Sequence, residues 1–330
     1  MLMINFATVI VTYGSSTRFS NLKVTIESAL EQGTSVVYVV NNGANYDVDQ
    51  RIKSVFSKVK VINLPENKGS AVGFPTGLTA AITDVDITES DYILILDDDV
   101  KISDGFKKSL EEAERNYGKE PHIWSMVRSG RDQTFFSDSE RTALSYHNSI
   151  AGFSLFDRFK PDRIHRVDDF SRPVFVPWAG ILGQKKYLSK VELPSPNYFV
   201  YEDDSQFSLN VRKTGIQIVK SESVTLEETS SSWFENDSKK SGYGIFYSTP
   251  GFEGTGRFLY MVRNNVYLMK NNEFVSDVVK YIVNVFVFII YGYIRYGFGR
   301  KHSLKKLMMI VQAIHDGWTN KMGKNPDWRL

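Results

Sequence analysis

Cysteine is absent from all 330 residues. That excludes disulfides and thiolate zinc sites, and it agrees with a reducing compartment. A charge excess is also missing, since the net charge is +2. Nucleic-acid binders usually carry a strong basic excess, so no nucleic-acid partner is expected. Met1–Val11 has neither a basic start nor a long apolar core, and it reads as a first strand, not a secretory leader. No internal repeat and no low-complexity tract is visible. What remains is an ordinary globular composition, 42% hydrophobic and 24% charged, long enough for a large core. Aromatic residues make up 13%, and Tyr and Phe concentrate after Phe234.

The stretch richest in chemistry is Asp91–Val100. Tyr92–Leu96 is a short unbroken apolar run, which predicts a strand buried on both faces of an α/β sheet. Asp97, Asp98 and Asp99 follow at once. Three clustered carboxylates repel one another and lose solvation unless a cation sits among them. The plain alternative is an acidic turn, with Ser103 and Asp104 as N-caps for a helix over Gly105–Asn116. The position favours a divalent metal, because ligands of open α/β sheets collect at the carboxyl ends of strands.

Strand, turn and helix alternate before that stretch. Strands are predicted over Phe6–Thr12, Ser35–Val40 and Val59–Leu64, with helices over Asn21–Gln32 and Asp49–Phe56 and a short one after Gly77 through Ile82. This is the pattern of a mostly parallel sheet with right-handed crossovers. Further strands are expected over Ile123–Val127, Arg172–Gly183 and Gln217–Val219, and a helix runs from Glu202-Asp203-Asp204 to Arg212. Ser129–Val167 has no clear period. Beyond Ser221 helices are expected over Arg257–Lys270 and Leu304–Ile314. Between them Asp277–Ile294 is apolar all round but only ~17 residues long, marginal for a full membrane span. The organisation expected is an α/β domain over 1–220 and an aromatic, helical region over 221–330; 277–294 reads either as a buried helix or, with the basic residues through 306, as a membrane-associating segment, the second reading being favoured.

Three predicted strand ends carry polar clusters: Thr12-Tyr13-Gly14, Asn41-Asn42-Gly43 and Asp97-Asp98-Asp99. In a parallel sheet such ends line one crevice. A nucleotide needs polar partners for its base, a carboxylate for its ribose and a metal for its diphosphate. Gly69, Gly73 and Gly77 do not match G-x-G-x-x-G and follow the third strand, so a dehydrogenase is not expected. Glu202-Asp203-Asp204 either caps a helix or supplies catalytic acids.

Taken in order, these motifs resemble family 2 glycosyltransferases of the GT-A fold, the bacterial kind that builds rhamnose- or galactofuranose-containing surface polysaccharides. Val9-Ile10-Val11-Thr12-Tyr13-Gly14 is similar to that family's opening strand. Val40-Asn41-Asn42-Gly43-Ala44 is similar to its V-D-N-G-S turn, and Asn67 through Gly77 to its N-x-G-x-A-x-G-x-N-x-G stretch. Leu96-Asp97-Asp98-Asp99-Val100 resembles its D-x-D metal motif, and Tyr201 through Gly215 its Y-x-E-D-x-D segment. Arg263-Asn264 and His315-Asp316-Gly317 resemble its C-terminal R-N and H-D-G signatures.

The resemblance implies a Rossmann-like, mostly parallel central sheet flanked by helices, with a C-terminal helical extension. It implies an inverting, metal-dependent transferase that uses a UDP- or dTDP-sugar, with galactofuranose or rhamnose favoured. Thr12, Tyr13 and Asn41 would border the base, and Asn67, Gly69, Asp98 and Arg263 would join the nucleotide-sugar site. Asp97 would bind ribose and, with Asp99, hold Mn²⁺ or Mg²⁺. Asp204 would be the general base, with Asp203 beside it. Glu202 and Trp178 would face the acceptor.

The sequence also departs from the family pattern. Asn41 replaces an Asp, Pro75 an Asn, and Gln206 an acid. Leu226 stands where many relatives have a metal-binding His, with Glu227 and Glu228 as neighbouring carboxylates. The expected partners are a nucleotide-sugar donor, a glycan acceptor on a polyprenyl lipid and a membrane surface; self-association is left open. The expected location is cytoplasmic, peripheral on the inner face of the cell membrane. A non-catalytic glycan-assembly binding protein and a nucleotidyltransferase are the alternatives.

Overall fold

The computed structural model describes residues 4–118, 120–129, 132, 139–156, 163–165, 168–229 and 242–330. The polar stretch 230–240 and parts of 129–167 lie outside the described residues. The chain divides into two units. The first holds residues 1–140, 165–194 and 204–231, and the second holds 141–164, 195–203 and 232–330.

The first unit is built on β1 (Phe6–Thr12), β2 (Val37–Asn42), β3 (Val59–Leu64) and β4 (Tyr92–Asp97), which are parallel. Next along the chain come β5 (Val100–Ile102), β6 (His122–Ser125), β7 (Val127–Arg128), β8 (Ser139–Arg141), β9 (Arg163–His165), β10 (Phe170–Ser171), β11 (Ile181–Gln184), β12 (Gln217–Ser221) and β13 (Thr225–Glu228), with Arg141 of β8 and residues 163–164 of β9 counted in the second unit. Among the described residues the main sheet has eight strands, ordered β10-β12-β6-β11-β4-β1-β2-β3. β11 is antiparallel to both its neighbours, and β12 is parallel to β6. The mixed α/β architecture matches the expectation from alternating elements.

Both faces of the central strands are covered. Phe6, Ile10, Leu94 and Leu96 belong to one buried cluster, and Ala7, Val9, Val11, Ile93 and Ile95 to the other. This is the period of two of a strand, with apolar side chains on each face. α1 (Phe19–Glu31) ends as predicted at Gly33, whose φ is +78°. Gly33 N–H reaches the Leu30 carbonyl and Thr34 N–H the Ala29 carbonyl, a Schellman closure. α2 (Val48–Lys53) is capped by the Asp47 side chain.

α3 (Ser70–Thr83) starts eight residues earlier than its predicted start after Gly77. Its glycines do not break the helix, because they are its contact face. A Cβ on Gly73 would press on Val11, and one on Gly77 would collide with Val9 and Val40. The missing side chains let the helix lie close against β1 and β2. α4 (Phe106–Tyr117) also differs from expectation. Its N-cap is Gly105 with φ +74°, and no Ser103 or Asp104 side chain caps it. The residues just before it form β5, which pairs antiparallel with β13. α5 (Lys185–Leu188) and α6 (Asp203–Lys213) follow.

The second unit is helical: α7 (Gly242–Ser248), α8 (Gly256–Asn271), α9 (Val278–Gly292) and α10 (Ser303–Trp318). A π-helical turn over Tyr293–Gly297 follows α9. Its core is aromatic, with Tyr243, Phe246, Phe258, Tyr260, Phe288 and Trp328 buried. Gly317 lies so close to α8 that a Cβ would collide with the Arg263 carbonyl. The His315-Asp316-Gly317 motif is thus a helix-packing element here, with Asp316 buried and bonded by Gln312.

Candidate active site

Parallel pairing brings the polar strand ends together. Thr12 on β1 is in register with Asn41 on β2, and Val11 with Asp97 on β4. The three aspartates then separate into three environments.

Asp98 turns inward and is 1% exposed. Its Oδ2 accepts from the Thr12 hydroxyl at 2.6 Å and from Arg18 Nε at 3.0 Å, and its Oδ1 accepts from Arg18 Nη2. Burial pushes its carboxyl up, while Arg18 and Thr12 hold it down. Thr12 therefore bonds Asp98, and Asp98 also holds Arg18, whereas the resemblance implied that both join the nucleotide site. Arg18 also lies over the Tyr13 ring at 4.7 Å, and Tyr13 is 39% exposed. Motif comparison passed over Arg18, because a turn arginine has no recognisable spacing to Asp98.

Asp97 accepts from Arg128 Nη2 at 2.7 Å. Arg128 Nη1 reaches Glu228 at 3.4 Å. Arg128 is buried, and its backbone N–H donates to Asp132, which also accepts from the fully buried Lys220 at 2.7 Å. The predicted strand Ile123–Val127 stopped one residue short of this arginine.

Asp99 has the least compensation. Burial is the main cause pushing its carboxyl up to about 6, and the charges of Asp97, Asp98 and Glu228 add to it. Arg18 opposes them from 3.7 Å. β13 fixes this corner: Thr229 N–H donates to the Asp99 carbonyl at 3.0 Å, and Glu228 pairs with Val100. Leu226, at the family's histidine position, is fully buried opposite Ile102. Of the two neighbouring acids, Glu227 leans toward Lys101, and Glu228 is the one that joins the aspartates.

The donors around Asp99 are all oxygen, which suits Mg²⁺ or Mn²⁺. The surroundings of Asp99 are short of positive charge, so a divalent ion fits there. Asp97 and Glu228 are turned toward Arg128 instead. Among the described residues no three acids or histidines converge as a ready metal cluster.

The turn after β2 and the loop before α3 interlock. Asn41 accepts from Ala44 N–H and donates to Asn63. Buried Asn42 accepts from Lys68 N–H and donates to the Gly69 carbonyl. Asn67 accepts from Gly69 N–H at 2.9 Å. Gly43 has φ +68°, and a Cβ on it would collide with the backbone of Glu66 and Asn67. Asn42 and Gly43 thus set the position of Asn67 and Gly69.

Asp204 lies in the first turn of α6. Its Oδ1 accepts from Ser205 N–H at 2.7 Å, and its carbonyl accepts from Ser208. Ser208 Oγ also accepts from Val176 N–H. Gly180, a few residues on, donates to the Ile95 carbonyl of β4. These bonds tie the start of α6 to the carboxyl half of β4. Trp178 belongs to the same seam. It is 4% exposed, stacked on Phe74 at 5.4 Å and against Phe207 at 4.6 Å. The ring thus packs in this seam, whereas the resemblance implied an acceptor-facing position.

Within the second unit, the segment leading to Asp204 is held under strain. Phe199, Tyr201 and Glu202 all have left-handed backbones, with φ of 63°, 67° and 65°. Fully buried Asn264 donates to the carbonyls of Tyr198, Val200 and Tyr201 at 2.8–2.9 Å. Glu202 accepts from Asn265 at 3.4 Å. Arg263 is 2% exposed and donates to the Gly323 carbonyl at 2.6 Å and the Tyr198 carbonyl at 3.4 Å. Burial lowers its guanidinium to about 10. The guanidinium is thus enclosed and bonded to backbone carbonyls, whereas the resemblance implied a place in the nucleotide-sugar site. Asp203 is 1% exposed.

Residues 8–174, half of the chain, match glycosyl transferase family 2. The chain belongs to this family. No curated protein sequence matches it. Its fold is of the GT-A kind. A structure of GalNAc-T7 with UDP, GalNAc and Mn²⁺ is similar with a TM-score of 0.50 at 11% identity, over 69% of this chain and 44% of that one. S. aureus TarS gives 0.48 at 14% identity, over 96% of this chain and 54% of that one. The 1–349 fragment of TarS gives 0.47 at 14%, over 96% and 89%. The chain thus spans about half the length of the first two.

Proposed function

We propose that the chain is an inverting glycosyltransferase that moves a sugar from a nucleotide-sugar donor to a glycan acceptor. The observation that carries this reading is one acidic centre just after β4 and a second in a helix tied by hydrogen bonds to that strand. Asp99 follows β4 with Arg18 at 3.7 Å and its carboxyl pushed up, and Asp204 lies in the first turn of α6, which is tied through Val176 and Gly180 to β4. Tyr13 and the Asn41 turn would border the base, and the loop of Asn67 and Gly69 would shape the sugar pocket. Asp99, with Asp97, would hold Mn²⁺ or Mg²⁺. Such an ion, when bound, offsets the charge of a leaving diphosphate. Arg18, already facing Asp98 and Asp99, would add a fixed positive charge there.

Asp204 would accept the proton of the acceptor hydroxyl as that oxygen attacks the anomeric carbon and the nucleoside diphosphate leaves. The helix dipole favours negative charge in the first turn of a helix, where Asp204 lies. Asp203, buried beside it, would orient it, and Glu202 would meet the acceptor. The donor favoured is a UDP- or dTDP-linked galactofuranose or rhamnose, and the acceptor a polyprenyl-linked glycan. A binding-only role is favoured by one observation, the engagement of Asp97 and Glu228 by Arg128. A screen of nucleotide sugars for hydrolysis without acceptor, with and without Mn²⁺, separates the two. Metal-stimulated release of nucleoside diphosphate from one donor is expected; donor binding with no release would support the binding role.

A further inference from the structure

α9 shows two unlike faces. One is fixed inside the second unit. Fully buried Asn284 accepts from Leu155 N–H at 2.8 Å and donates to the Asn148 carbonyl at 2.7 Å. Tyr243 donates to the Phe288 carbonyl at 2.7 Å, and a Cβ on Gly292 would collide with the Tyr243 ring. The other face is apolar and bare: Val279, Ile282 and Phe286 are 72%, 59% and 65% exposed, Ile294 in the following turn is 65% exposed, and Phe298 beyond the turn is 75% exposed. An apolar face this large marks a contact surface.

Residues 278–297 are long and apolar enough to cross a bilayer, and only 22% of their most apolar stretch is buried. Crossing would strip Asn284 and Phe288 of the bonds that hold them. Charge indicates what covers the bare face. Residues 278–315 contain no Asp or Glu, while Arg295, Arg300, Lys301 and Lys305 are all exposed. A second copy meeting this face by two-fold symmetry would set these cations against themselves.

We infer that α9 lies in the plane of an anionic lipid surface, its bare face among the acyl chains and the following basic residues on the head groups. This is independent of the transfer reaction.

The test uses the full chain and two sets of vesicles, phosphatidylcholine alone and phosphatidylcholine with about one third phosphatidylglycerol. Sedimentation should show binding to the second set that is roughly tenfold stronger and is weakened by salt. Phe286→Asp should lose roughly tenfold or more of that binding with an unchanged melting temperature, because the side chain is exposed. The absence of cysteine allows single probes through Val279→Cys, Phe286→Cys and Ile294→Cys. Depth quenching should place all three equally shallow. The inference is overturned by equal binding to both vesicle sets, by full binding of Phe286→Asp, or by a Phe286 probe much deeper than the other two. A concentration-dependent dimer abolished by Phe286→Asp would also overturn it, since a second copy would then cover the face.

Discussion

Asp99 shows how a single residue can be tuned against the stability of its own fold. Its folded value, about 6, lies above the ordinary 3.8, so ionising Asp99 opposes folding. The opposition is complete above about pH 6 and vanishes as pH falls to the ordinary carboxylate range, where the residue is protonated in both states. Asp99→Asn should therefore raise the melting temperature by about 2–4 °C at pH 8 in chelator, and the gain should fade by pH 4. Thermal melts across that range check it; a lowered melting temperature at pH 8 would contradict the environment described. Residue identities were only partly legible in the sequence. The acids stand out because three in a row after an apolar run are conspicuous. Arg18 and Arg128 do not, because an arginine becomes a partner only once the chain brings it 80 or 31 residues across to an aspartate. Trp178 and Arg263 show the reverse: both match a motif, yet a motif preserves packing residues as readily as ligands, and burial separates the two.

Among the described residues, the segment before α6 gathers three left-handed residues within four positions. Three left-handed residues cost on the order of 1–3 kcal/mol each and persist only where the surroundings dictate them. Asn264 supplies that constraint through three carbonyls. Asn264→Ala should destabilise the protein by about 1–3 kcal/mol, because buried carbonyls lose their donor. It should also lower kcat with donor KM nearly unchanged, because the next residues along the chain include the proposed base. Denaturant melts and steady-state kinetics check both parts; an unchanged kcat in a destabilised variant would leave Asn264 a purely structural residue. Strands were the most legible elements, since β1 and β4 are buried on both faces and have few polar interruptions. α3 was misplaced because Gly69, Gly73 and Gly77 read as a loop, whereas Gly73 and Gly77 let the helix approach the sheet. β5 was hidden because a three-residue strand shows too little alternation to register.

In the molecule as a whole, the helical region is a folded unit of its own and not a detachable tail. Trp328 packs on Tyr260 at 5.0 Å, and the Arg329 carbonyl accepts from Gly256 N–H at 2.8 Å. Removing Asp277–Leu330 strips both from α8, so the shortened chain should be insoluble or molten and should not appear as a soluble enzyme released from membranes. Solubility and near-ultraviolet circular dichroism check this; a well-folded, active truncation would contradict it. The sequence placed a change of texture near residue 220, but the second unit also takes in residues 141–164 and 195–203. Those segments join it through contacts such as Asn148 with Asn284 and Tyr198 with Asn264, which chain order does not reveal. The central claim remains the division of labour between Asp99 and Asp204. It is tested most directly by measuring sugar transfer by Asp204→Asn alongside its donor affinity. The account predicts a kcat lower by roughly 10²–10⁴-fold with donor affinity within about twofold of the parent chain. Near-normal turnover in Asp204→Asn would contradict it.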